Sequence, residues 1–106
     1  ELAGIAFGRP RRRGPLTEFT LADVIVRPGD RGTAARLLRA AAAAGCDHAA
    51  THLAPGTEAA AAALRGGYLT APRTGMTLAA RGPLAPLPAE RTLADWRFSL
   101  GDLEVF

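Results

Sequence analysis

Apolar and polar positions along the chain change their period several times, and each change marks an element. Residues 2–7 read as a strand with Ile5 and Phe7 on one face. Gly8, Pro10, Gly14 and Pro15 surround a basic cluster and predict a hairpin loop over 8–15. Residues 17–26 form the returning strand, so the first pairing is antiparallel. Its end, Val24-Ile25-Val26, is β-branched without polar alternation, the pattern of a strand buried on both faces. Pro28 and Gly29 stop it, and Asp30 is a good N-cap for a helix over 30–44. In that helix Leu37, Leu38, Ala41 and Ala44 share a face, and Gly45 ends it. A strand over 46–53, a helix over 57–65 closed by Gly66-Gly67, and a strand over 74–80 follow. The order strand-strand-helix-strand-helix-strand predicts an α/β domain over 1–81, with a mixed sheet and helices packed on it. Residues 82–88 turn to Pro, Leu and Ala, as in a linker, and 82–106 form an extended C-terminal tail. Trp96, Phe98, Leu100 and Phe106 make that tail too apolar to hang free, which predicts that it docks.

Composition narrows the picture. Much of the apolar content is alanine, so the interior is predicted to be alanine-lined and thin. All 13 basic residues are Arg, and the net charge of +3 is mild. The arginines of the loop, Arg9, Arg11, Arg12 and Arg13, are either a solvated tip or a phosphate-contacting patch. No aromatic residue is interleaved with them, which argues against nucleic acid as a partner. A lone cysteine, Cys46, excludes an internal disulfide and fits a reducing, cytoplasmic setting. No apolar run is long enough to span a membrane. The chain opens at Glu1 inside a strand-like pattern, which predicts a fragment of a longer protein or one half of an assembly.

The strand, turn and helix over 21–38 carry candidate chemistry. First-turn N–H groups lack internal partners, and the helix dipole places partial positive charge beside Arg27 and Arg31. The plain alternative is an ordinary βα turn with exposed arginines. With the elements that follow, this stretch resembles the C-terminal half of the GNAT superfamily of N-acetyltransferases. There a buried strand enters an Arg/Gln-x-x-Gly-x-Gly/Ala loop and a helix that holds the coenzyme A pyrophosphate. The corresponding parts are the strand at 23–26, the loop at 27–35, the elements after it, the Gly67-Tyr68 step, and the strand at 76–80. The tail Asp95-Trp-Arg-Phe-Ser-Leu-Gly-Asp102 looks like the C-terminal extension of some bacterial acetyltransferase-like proteins.

The resemblance implies transfer of an acetyl group from acetyl-CoA, as co-substrate, to an amine acceptor, with no metal. Main-chain N–H groups of the stretch 24–27, Val24 and Val26 among them, would face the thioester carbonyl. Arg27, Gly29, Arg31, Gly32 and Thr33 would hold the pyrophosphate. The loop, Arg31-Gly32-Thr33-Ala34-Ala35, is about two residues shorter than the family pattern. Ala63 stands where the family often has its general-acid Tyr, and Gly56 where it has an Asn. Tyr68 matches an aromatic packing position. The front half of the family fold lies outside these residues, so an N-terminal half-domain or self-association is predicted to cover the edge of the strand at 2–7. A catalytically degenerate domain that binds a partner is the other reading.

Asp23, a carboxylate inside an apolar strand, is the candidate general base, since burial would raise its pKa. Alternatively it bonds to neighbouring backbone or to a hairpin arginine. His48 and His52 share one face of a strand, but their Cα atoms would lie about 13 Å apart, too far to share a metal ion. Cys46 follows a helix C-terminus, where the dipole opposes a thiolate.

Overall fold

The structure is a computed structural model and describes residues 1–71. Within them the chain forms β1 (Gly4–Arg13), β2 (Leu16–Val26), α1 (Arg31–Ala42), β3 (His48–Thr51) and α2 (Glu58–Ala62). The sheet is three-stranded in the order β1-β2-β3, antiparallel between β1 and β2 and parallel between β2 and β3. It is the mixed sheet of a small α/β domain, with both helices packed against it. The expected strand over 74–80, the linker, the docked tail and the boundary at 81 lie outside the described residues.

The loop expected over 8–15 is instead strand. β1 continues through the arginines and pairs Arg13 with Leu16, leaving Gly14 and Pro15 as the connection. A two-residue hairpin loop needs positive φ at its first position, and Gly14 supplies it at 62°. Gly8 and Pro10 do not break the strand because β1 is an edge of the described sheet. Proline is tolerated there when its missing N–H faces away from the ladder. Gly8 is required for another reason. A Cβ placed on it would lie 2.4 Å from the Thr20 carbonyl oxygen.

A β-bulge changes the reading of β2. Phe7 pairs with Asp23 and Gly8 with Leu21, so Ala22 is the extra residue. It resets the alternation, so that Phe19, Leu21, Val24 and Val26 all face the helices. Val24-Ile25-Val26 is therefore not buried on both faces, because the helices cover only one. Ile25 is 52% exposed on the other, opposite Ile5.

The interior is alanine-lined as expected: Leu21, Ala34, Ala35, Leu38, Ala41 and Ala62 form its centre. Asp30 caps α1, its carboxylate accepting from the Thr33 N–H at 2.9 Å and from the Thr33 hydroxyl at 2.6 Å. These two bonds hold the Asp30 carboxyl below its usual pKa. α1 ends at Ala42, short of 44, and Gly45 follows with φ 80°. β3 and α2 are likewise shorter than 46–53 and 57–65. Beyond α2 the chain closes on Gly67 (φ 91°), with Tyr68 N–H donating to the Ala63 carbonyl and Gly67 N–H to that of Leu64. That is the Schellman arrangement of a glycine-ended helix.

Candidate functional site

β2 and β3 run side by side only from the Glu18–His48 pair to the Leu21–Thr51 pair. Past that point β3 ends, while β2 continues to Val26 with no β3 partner. The bulge at Ala22 sits where the strands part. The Thr51 hydroxyl, buried at this fork, finds no hydrogen-bond partner among the described residues. β2 then passes through Arg27, Pro28 and Gly29 into α1, so the expected acyl-CoA residues do lie along one continuous path. Gly29 needs its left-handed φ of 82° to make the turn, and Asp30 N–H closes it by donating to the Arg27 carbonyl at 3.0 Å.

Five of the donors singled out along this path, at Val24, Arg27, Gly29, Arg31 and Thr33, already hold a carboxylate. The Val24 N–H donates to Asp23 Oδ1 at 2.8 Å. Arg27 pairs with Glu1. The Gly29 N–H donates to Glu58 Oε1 at 3.0 Å, and Arg31 Nε donates to Glu58 Oε2, also at 3.0 Å. The Thr33 N–H is held by Asp30. Asp23 is half-buried, and its bond to the next residue's backbone corresponds to the alternative reading of that residue. Val26 packs its side chain against the core, and Gly32 lies in the first turn of α1.

Glu58 is the residue that sequence reasoning missed. It was legible only as an acid in the first turn of α2, where it complements the dipole. The fold brings that turn against Gly29, which sets one carboxylate between a backbone N–H and a guanidinium. The Gly29 N–H first, then Arg31, hold its carboxyl below the usual range.

The other candidates lie elsewhere. Tyr68 is half-buried, donates its hydroxyl to the Leu38 carbonyl at 3.1 Å, and is pushed up in pKa by burial. It anchors α1 and offers no proton to the turn. Glu18, 8% exposed, accepts from the Thr20 hydroxyl at 2.6 Å and meets His48 Nε2 at 3.1 Å and Arg13 Nε at 3.4 Å. Burial raises the Glu18 carboxyl, but Thr20, His48 and Arg13 together outweigh it and hold it below its usual value. This network belongs to the paired end of β2, away from the turn.

A cleft of about 580 Å³ lies along β3 and α2 and includes His48, Thr51, His52, Ala63 and Tyr68; the residues at 23–33 do not line it. Among the described residues no group of three His, Cys, Asp or Glu side chains is placed to hold a metal ion. No described helix is long and apolar enough to cross a membrane. Comparison with protein-family models, with curated proteins and with solved structures found no match to the chain.

Proposed function

We propose that this chain is a GNAT-like, acyl-CoA-dependent N-acyltransferase domain that moves an acetyl group from acetyl-CoA to an amine. The observation that carries the reading is the row of donors running from the end of β2 beyond its pairing with β3, through the Gly29 turn, into α1. Those donors engage acidic groups within the chain, which is the behaviour expected of a path that binds an anionic ligand. A pyrophosphate would take the Gly29 N–H and the guanidiniums of Arg27 and Arg31, displacing Glu58 and Glu1. The first turn of α1, at Gly32 and Thr33, adds its dipole.

The chemistry then has named places. The acceptor amine attacks the thioester carbonyl carbon, the C–S bond breaks, and the thiolate leaves. Negative charge gathers on the carbonyl oxygen, and main-chain N–H groups in the stretch 24–27, those of Val24 and Val26 among them, would stabilise it. Asp23 takes the proton released by the amine nitrogen, for which it must give up its bond to Val24 N–H. An N-terminal half-domain or a second chain would supply the acceptor pocket.

The second reading is a degenerate domain that binds a protein partner. It is favoured by the same carboxylates, taken as permanent occupants, and by Ala63 and Gly56, whose side chains have no proton to give. Calorimetric titration of the folded chain with acetyl-CoA separates the two. Saturable binding that Arg31→Ala weakens supports the transferase, and no binding supports the degenerate module.

A further inference from the structure

The face of the sheet away from the helices is apolar at one end. Ile5, Phe7 and Ile25 are 46%, 47% and 52% exposed there, and Ile5 lies directly opposite Ile25. β1, at the margin of this patch, is an edge strand of the described sheet. Two observations fix which of its backbone groups face outward. Pro10, opposite Phe19, has no N–H and is tolerated only where that bond would leave the ladder. Val24, opposite Ala6, donates its N–H to its neighbour Asp23, which fits a pair whose N–H groups point apart. The even-numbered positions Gly4, Ala6 and Gly8 therefore turn their N–H and C=O groups to the edge that no described strand covers. Pro10 and the arginines beyond it guard the other half of that edge.

We propose that a second copy of this chain covers the edge, the two β1 strands pairing antiparallel about a two-fold axis at Ala6. In this register Gly4 meets Gly8 of the other copy and Ala6 meets its equivalent, about six backbone hydrogen bonds in all. Ile5 falls beside Phe7 of the other copy, and by symmetry Phe7 beside Ile5, two aromatic–β-branched pairs on the open face. Glu1, which pairs with Arg27 in its own chain, falls beside Arg11 of the other copy, so the charges that meet there are opposite in sign. Neighbouring registers match less well. A shift one way sets Phe7 against Ala3, and a shift the other way sets Ile5 against Arg9. The Ala6-centred register alone pairs every large apolar side chain of this stretch with another. The two open faces then join into one apolar strip made by Ile5, Phe7 and Ile25 of both copies, and the sheet continues without a break. The rival occupant is another segment, whether from residues 72–106 of the same chain or from an unrelated protein.

Sedimentation of the full chain tests the proposal. The expected result is a species of twice the 11.0 kDa chain mass, in concentration-dependent exchange with monomer. Phe7→Glu should leave only monomer while circular dichroism keeps the signature of the folded parent, because Phe7 lies outside the core. The new carboxylate faces Asp23, so the melting temperature falls by a few degrees at most, the cost of one unfavourable cross-strand pair. Ala6→Cys in a Cys46→Ser background should form an intermolecular disulfide on mild oxidation, since only this register brings the two positions within bridging distance. A parent chain that stays monomeric at every concentration overturns the proposal and points to the rival occupant. A dimer that survives Phe7→Glu and fails to cross-link at position 6 overturns it as well.

Discussion

Leu38→Ala tests the described core most directly. Leu38 is fully buried, one of the few large side chains in an interior otherwise built from alanine methyls. It also fills the space left by Gly66, where an added Cβ would come within 2.6 Å of the Leu38 Cβ. Truncation removes three carbons and leaves a void that the surrounding alanines are too short to fill. A buried Leu→Ala costs about 2–5 kcal/mol, and poor collapse places this one at about 3–4 kcal/mol. At about 4–8 °C per kcal/mol for a domain of this size, the melting temperature should fall by roughly 12–30 °C. Urea unfolding followed by circular dichroism reads the loss directly, with the slope against urea unchanged. A loss below about 1 kcal/mol would mean that α1 does not dock through Leu38, and the described core would be wrong.

Other outcomes follow from the same contacts. Glu58→Gln weakens the hold on Gly29 N–H and Arg31, so acetyl-CoA should bind the variant more tightly than the parent in calorimetry; equal affinity would show that Glu58 does not compete for the site. Gly8→Ala drives a Cβ into the Thr20 carbonyl, and the variant should lose the dispersed amide spectrum of a folded sheet. The folded-state pKa of Glu18 is depressed by its Thr20, His48 and Arg13 partners despite burial. Its contribution to stability is therefore present above the unfolded value of 4.5 and lost as pH falls through the folded one. Stability measured between neutral and acid pH should drop across that window, and Glu18→Gln should flatten the drop.

Local signals carried much of the fold. The Pro28-Gly29 stop and the Asp30 cap depend on neighbouring residues alone and appear where the pattern places them. Gly45 and Gly67 take the positive φ of closing glycines, but the regular helices end earlier, at Ala42 and Ala62. The basic run was harder to read. Gly8 and Pro10 are turn residues by composition, and only the edge position of β1 makes them strand. The bulge at Ala22 has no sequence signature, yet it decides which of Val24, Ile25 and Val26 is buried. At the candidate site the donors were legible because they sit on one continuous stretch. Their occupants were not: Glu58 reaches Gly29 from 29 residues away, a contact set by how α2 packs against the turn. The Asp23–Val24 bond, by contrast, is local and was legible as an alternative.

The most direct test is a calorimetric titration of the parent chain and of Arg31→Ala with acetyl-CoA, with acetate as the control. The account predicts saturable binding to the parent, weaker binding to the variant, and no heat from acetate. A folded chain that takes up no acetyl-CoA, or binds it equally well without Arg31, would contradict the assignment of the β2–α1 turn as the coenzyme site.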